Sequence, residues 1–315
     1  MFSKKRTVID GRNALVVSGL GIINLVDTLE CGQAFRYEKI READGYVEYM
    51  TVVEDIIVFV GQKTVGELIF YDLTDDEFGD TVAPYFALDR DFEAIRKSVI
   101  TTYPSEWLIN AANCAAGINI LKQSPWEALF SFIVSQNNNI PRIRKIIRAI
   151  CREYGDNLAI SRSLSVCPLN YCEGAPEEKK CKECGACFSF PTAEAVMKRP
   201  EGLLPSHPGF RYKYLLDAAE SVSTGRVSLT DIEERHSYEY TISELKKILG
   251  VGDKVASCAA LFGFANYEAF PIDVWMKRAI NEYFDGKLDP KDLGEYAGVA
   301  QQYIFHYIRK LNAQS

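Results

Sequence analysis

Little in this 315-residue sequence marks it for a membrane, for secretion or for coating a polyanion. No stretch approaches 18 consecutive apolar residues, which excludes a helical membrane span. The opening Met-Phe-Ser-Lys-Lys-Arg runs into mixed polar and apolar residues without an apolar h-region, so no secretory leader is expected. A basic excess is missing as well. Lys and Arg number 36 against 43 Asp and Glu, a net charge of −7, whereas an indiscriminate binder of nucleic acid carries the opposite sign. With 47% hydrophobic and 25% charged residues the chain is neither disordered nor fibrous, and its length suits two domains. Nine cysteines without a leader point to thiols or metal ligands in a reducing compartment, and so to the cytoplasm (the nucleoid, if the source is prokaryotic).

What is present divides the chain in two. Short alternating segments at 7–9, 14–18, 33–37, 46–53 and 56–60, separated by turns such as Asp10-Gly11-Arg12-Asn13 and Asp44-Gly45, predict an antiparallel sheet. After Asp72 the period becomes helical, at 92–102, 105–113 and from Trp126 onward. The expected class is α+β, with a sheet domain over 1–122, a helical domain over 123–315 and a cysteine-rich insert at about 165–188.

The best-marked helix opens at Ser124-Pro125-Trp126-Glu127, which reads as a capping box with proline in the first turn. Trp126, Leu129, Phe130, Ile133 and Val134 form its core face, and Gln136-Asn137-Asn138-Asn139 ends it. The next helix buries Ile143, Ile146, Ile147, Ile150 and Cys151 and carries Arg144, Arg148 and Arg152 as a stripe. A solvated face is the ordinary reading of such a stripe. Its place directly after an Asn-rich turn, with Arg142 and Lys145 adding to it, fits a DNA-facing surface instead.

The insert holds Cys167, Cys172, Cys181, Cys184 and Cys187 in the spacing C-x4-C-x8-C-x2-C-x2-C. Four of these five suit a structural zinc site; an iron–sulfur cluster is the alternative, and no metal the third reading. All-thiolate closure leaves no open position, so no cofactor is expected to take part in catalysis.

Thr241 with Glu244 reads as another capping box, and Leu245, Ile248 and Leu249 give a short apolar face before Gly250-Val251-Gly252. Val255, Ala259 and Phe262 carry the following helix. Two helices joined by Gly-hydrophobic-Gly form a helix-hairpin-helix, whose open backbone amides suit a DNA phosphate without base preference. Downstream, Phe270-Pro271-Ile272-Asp273-Val274-Trp275 sets one acid in an apolar run. As isolated residues, Lys254 reads as an exposed helical lysine and Asp273 as a helix N-cap.

The run Leu249-Gly-Val-Gly-Asp-Lys-Val-Ala-Ser-Cys258, followed by Pro271-Ile-Asp-Val274, resembles the helix-hairpin-helix Gly/Pro-Asp signature of base-excision DNA glycosylases, and more narrowly the 8-oxoguanine DNA glycosylase branch. Cys31-Gly32-Gln33-Ala34-Phe35-Arg36, residues 129–139, Gly209-Phe210-Arg211-Tyr212-Lys213-Tyr214 and Gly298-Val299-Ala300-Gln301 with Phe305 spread the resemblance over most of the chain.

The resemblance implies that Lys254 attacks the deoxyribose C1′, displaces the damaged base and leaves a Schiff base that can eliminate the 3′ phosphate, assisted by Asp273. It implies a base pocket of Gly32, Cys258, Phe262, Gln301 and Phe305, with the Gly32 carbonyl accepting the N7–H that 8-oxoguanine has and guanine lacks. It implies that Asn137 fills the hole left by the extruded nucleotide, that Arg142 and Arg211 contact the estranged cytosine beside the Phe210 wedge, and that Gly250, Val251, Gly252 and Trp275 meet DNA. A monovalent cation at the hairpin belongs to the same expectation. Trp275 stands where some relatives carry His, Phe262 is larger than the residue often found there, and the cysteine insert is additional. These departures bear on substrate range and opposite base, not on reaction class.

The expected activity is thus a bifunctional glycosylase and AP lyase acting, as a monomer, on 8-oxoguanine in duplex DNA, opposite cytosine. The alternatives are a monofunctional glycosylase for alkylated bases, which would not need Lys254, and a noncatalytic DNA-binding module. The charge is unevenly placed: residues 1–122 hold 12 cations and 19 anions, residues 123–315 hold 24 of each, and 135–154 carry a local +4. The net −7 is therefore compatible with one DNA-binding face, and the acidic 51–100 region is expected to point away from the duplex.

Overall fold

The structure is a computed structural model that describes residues 2–161 and 185–313. Six strands, β1 (Ser3–Ile9), β2 (Arg12–Ser18), β3 (Tyr37–Ala43), β4 (Tyr46–Val53), β5 (Ile56–Gln62) and β6 (Glu67–Tyr71), pair antiparallel in the order β1-β2-β6-β5-β4-β3. Asp10-Gly11 and Asp44-Gly45 take positive φ at both residues, the two-residue hairpin geometry that matches strand twist. Of residues 33–37, expected as a strand, 33–36 instead form the loop into β3, which begins at Tyr37, because the Gln33 side chain is pulled into the interior by non-local partners.

Among the described residues, the helices that build and position the site are α1 (Leu25–Glu30), α2 (Phe92–Thr102), α3 (Glu106–Cys114), α4 (Pro125–Ser135), α5 (Ile140–Tyr154), α6 (Tyr212–Ser223), α7 (Tyr238–Leu245), α8 (Asp253–Gly263), α9 (Val274–Tyr283) and α10 (Ala297–Ala313), with other short helices and turns between them. One sheet face, including Leu15, Val17, Tyr49 and Phe70, packs on α1 and on Phe78 and Phe86. The other, with Met50, Val52, Ile57 and Phe59, is covered by Leu158, Ala159 and Cys187. Both faces are buried, which is why β5 reads as a nearly continuous apolar run.

Packing divides the chain differently from composition. Phe92, Ile95, Val99, Leu108 and Ala111 share one core with Leu129, Ile147, Val255 and Tyr303, so α2 and α3 pack with the helical domain, while Leu121 returns to the sheet core. Each large apolar side chain so buried contributes about 1.5–3 kcal/mol.

Three local expectations are corrected. Ser124 makes no capping hydrogen bond; Glu127 turns instead to Arg36, across a 2.8 Å ion pair in which both side chains are largely buried. The second capping box is displaced by one turn, since Ser237 caps α7 by accepting from the Tyr240 amide, and the Thr241 hydroxyl donates to the Ser237 carbonyl. The arginine stripe of α5 is neither a solvated face nor wholly a DNA face. Arg144 and Arg148 both pair with Glu38 of β3, and Arg144 also reaches the Tyr37 carbonyl and lies over its ring, so these two cations fasten the helical domain to the sheet.

Of the cysteine cluster, Cys167, Cys172, Cys181 and Cys184 lie outside the described residues. Cys187 is fully buried with its sulfur 3.7 Å from that of Met50.

Candidate active site and DNA-contacting turns

Lys254 lies in the first turn of α8, whose N-cap is Gly252. Its Nζ is 3.2 Å from the Ser135 hydroxyl at the end of α4 and 5.2 Å from the centre of the Phe132 ring. One turn on, the Cys258 thiol is completely buried, and burial pushes its pKa up. The Lys254 charge opposes that rise and the Asp273 charge adds to it. Asp273 is the N-cap of α9, accepting from the Met276 amide at 2.8 Å. Its N-cap reading is therefore realised.

Phe132 is the hub between this group and the Gly32 loop. Phe35 meets it edge-on at 5.5 Å and Phe262 stacks on it at 5.3 Å. Phe262 is thus buried behind Phe132, one layer back from the amine. Gly32 takes φ +90°, and a Cβ there would only touch Ile140 at 3.4 Å and the Phe305 ring at 3.6 Å, so the left-handed backbone rather than crowding favours glycine. Arg309 lies over the Phe305 ring at 5.3 Å, and its guanidinium would come within 3.7 Å of a Cβ at Gly32.

The loop is pinned on both sides of that glycine. Gln33 donates to the carbonyls of Thr28 (2.7 Å) and Asn119 (2.8 Å), accepts from the Leu121 amide, and gives its own carbonyl to Gln123. Cys31 donates its thiol to the Thr28 carbonyl, and burial pushes that thiol up to about 11. Gln301, on α10 with Phe305, is buried, and among the described residues its Oε1 has no hydrogen-bond partner. A buried unmatched amide oxygen costs free energy in the empty protein and is recovered only when a ligand supplies a donor.

A second constellation surrounds the Asn turn. Asn139 caps α5 by accepting from the Arg142 amide at 3.0 Å, Asn138 donates to the Val134 carbonyl, and Asn137 is exposed at φ +46°. Arg211 is only 3% exposed. Its guanidinium donates to the carbonyls of Gln136, Asn137 (2.9 Å) and Pro208 (3.2 Å) and lies over the Phe210 ring. Burial and the nearby Arg142 charge lower its pKa. Phe210 is 52% exposed and Arg142 stands in solvent.

At the hairpin, Gly250 takes φ +81° and lies so close to Tyr214 that a Cβ would overlap its ring. The Leu249 amide donates to Asp217 and that of Val251 to the Ile248 carbonyl. The anion site is thereby narrowed to Gly252 and the uncapped first turn of α8. Trp275 is half-buried in α9, beside the 80%-exposed Val274. Sequence reasoning missed Ser135, Gln302 and Asp217, for which spacing held no signal, and the Arg36–Glu127 pair, whose members were visible only as a motif residue and a cap.

A family model described as the N-terminal domain of 8-oxoguanine DNA glycosylase matches residues 18–129. The chain is 27% identical to an N-glycosylase/DNA lyase of Saccharomyces cerevisiae, over 81% of this chain and 66% of that protein, just under two thirds of its length. A solved structure of MBOgg1 in complex with a low-affinity DNA ligand superposes with TM-score 0.80 at 32% identity, covering 99% of both chains. The 8-oxoguanine glycosylase/lyase of Clostridium acetobutylicum, in complex with double-stranded DNA containing cytosine opposite 8-oxoguanine, gives 0.79 at 30% identity over 99% of this chain and 98% of that one. The motifs, the α+β architecture and these full-length matches agree: the chain belongs to the 8-oxoguanine DNA glycosylase family.

Proposed function

We propose that this protein is a bifunctional DNA glycosylase and AP lyase that removes 8-oxoguanine from duplex DNA during base excision repair. The observation that carries the reading is the placement of Lys254 in the first turn of the hairpin's second helix, its Nζ 3.2 Å from the Ser135 hydroxyl at the end of α4, with the buried Cys258 one turn on. In the reaction Lys254 attacks C1′ as the bond to the base breaks. The departing base takes the bonding electrons and is protonated; the C1′–O4′ bond then breaks as O4′ gains a proton, giving a Schiff base, and loss of a C2′ proton expels the 3′ phosphate. Asp273 stabilises the positive charge that develops at the sugar. An extruded base lies between Cys258 and Phe305, with Gln301 reading its edge and the Gly32 carbonyl accepting N7–H. Guanine offers no such donor, and the unmatched acceptor then discriminates by about 1–3 kcal/mol.

On the opposite side, Asn137 fills the gap, Phe210 wedges the stack, Arg142 attends to the partner cytosine while buried Arg211, expected to share that contact, instead holds the Asn turn from beneath, and the hairpin and Trp275 hold backbone. Four of the five insert cysteines hold a structural zinc; zinc, iron or neither in elemental analysis of purified protein separates the three readings. The protein acts as a cytoplasmic monomer, associated with the nucleoid if prokaryotic. No helix among the described residues is long and apolar enough to cross a membrane.

Incubation with an 8-oxoguanine:cytosine duplex, with and without borohydride, tests the reading. Base release with a trapped covalent adduct supports it. Base release without an adduct favours the monofunctional alternative, and no release from any lesion duplex leaves a binding module.

A further inference from the structure

Gln302 has no part in the chemistry described above, yet it is 2% exposed and its amide reaches out of α10 to the lesion loop. Its Nε2 donates to the Cys31 carbonyl at 3.2 Å, and its side chain also bonds the Cys31 thiol. Its neighbours on α10 are Gln301 and, one turn on, Phe305. Among the described residues the carbonyls on either side of Gly32 are both taken, Cys31's by Gln302 and Gln33's by Gln123, while no donor reaches the Gly32 carbonyl itself.

We infer that Gln302 is a positioning residue for lesion specificity: it fixes the Cys31–Gly32 peptide on one flank of the glycine, as Gln123 holds the Gln33 carbonyl on the other, and so restrains the Gly32–Gln33 peptide between them, whose Gly32 carbonyl faces the base pocket, from the same helix that carries Gln301 and Phe305. The physical argument is geometric. A glycine at positive φ has access to more backbone states than any other residue, and a carbonyl that must discriminate one hydrogen atom cannot be left to sample them. Gln33 pins one flank of the glycine to the sheet domain and Gln302 pins the other to α10. The discriminating acceptor, the edge reader and the stacking ring then move as one body. Without the Gln302 donor the peptide is free to rotate, and the Cys31 carbonyl is left unpaired in the interior.

The inference rests on the proposed removal of 8-oxoguanine, and the test separates the two. Gln302→Met removes the donor at similar length, and Gln302→Glu keeps the shape and removes the donor when ionised. For each, base release from an 8-oxoguanine:cytosine duplex is compared with strand cleavage at a preformed abasic site, which needs Lys254 and no base. In the Met variant, kcat/KM for base release is expected to fall about tenfold while abasic cleavage stays within about twofold, the scale of one net hydrogen bond. The Gln302→Glu variant is expected to regain base release as pH falls and its carboxyl gains the proton it needs to donate. Base release and abasic cleavage falling together would reduce Gln302 to a stabilising contact and overturn the inference, as would base release unchanged in both variants. Absence of 8-oxoguanine release by the wild type would instead sink the function.

Discussion

The lesion side and the opposite-base side of this site solve the same backbone problem with opposite surfaces. Each presents one residue at positive φ, Gly32 on one and Asn137 on the other, and each is held by a buried polar side chain that collects backbone carbonyls. On the lesion side the clamps are neutral amides, Gln33 and Gln302, and the unmatched Gln301 oxygen is buried. On the other side the clamp is the Arg211 guanidinium, and what is offered outward is an exposed ring, an amide and a free-standing arginine. Under the proposed function, the difference teaches how one protein would handle two bases of a pair, enclosing and reading the first, and filling and supporting the place of the second.

The largest way to break this comparison is to cut the tie between its halves. Arg36 leaves the Gly32 loop to pair with Glu127 on α4, the helix that ends in the Asn turn. Arg36→Ala leaves a buried carboxylate uncompensated and should lower stability by about 3–5 kcal/mol in denaturant unfolding. Burial already holds the Glu127 carboxyl above its usual pKa, with Arg36 opposing. A raised carboxyl pKa means that the folded state binds the proton more tightly than the unfolded chain, so lowering pH favours folding through this group. The Arg36→Ala deficit should therefore be smaller at pH 5 than at pH 8; an equal deficit would show that Glu127 is not the group left stranded.

Next in size is the clamp of the opposite-base side. Arg211→Ala strands the carbonyls of Gln136 and Asn137 at about 1–3 kcal/mol and should lower base release alike for all four opposite bases. Arg142→Ala should instead relax the preference for cytosine with little change in thermal midpoint. An Arg211→Ala variant that altered only the preference would make its guanidinium a reader of the base. On the lesion side, Gly32→Ala forces a side chain into left-handed backbone at about 1–2 kcal/mol. It should reduce kcat/KM on 8-oxoguanine more than cleavage of a preformed abasic site, and equal losses would remove Gly32 from base reading. The smallest effect is expected from the acidic sheet domain. Glu77 shares reciprocal capping bonds with Thr74, so charge reversal belongs at exposed Asp76 and Asp80. It should leave duplex affinity at physiological salt nearly unchanged, and a large change would place that surface against DNA.

Local chemistry was legible in the sequence. The helical period located α2 and α3 to within a residue or so, Gly250-Val251-Gly252 marked the hairpin, and Lys254 and Asp273 followed from the motif. What escaped was decided at a distance. Glu127 sits three residues after Ser124 and looks like half of a capping box, but a buried guanidinium 91 positions away outbids the local amide. Arg144 and Arg148 look like a DNA stripe until Glu38 of β3 arrives beneath them. Gln302 is one more polar residue on a helix, and only the fold, which brings α10 against the Cys31 carbonyl, gives it a role.

The central claim is that Lys254 is the nucleophile. Borohydride trapping on an 8-oxoguanine:cytosine duplex tests it most directly. The account predicts a covalent protein–DNA adduct with the wild type, and with Lys254→Gln no adduct and no base release at unimpaired duplex binding. An adduct of undiminished yield from Lys254→Gln would contradict it.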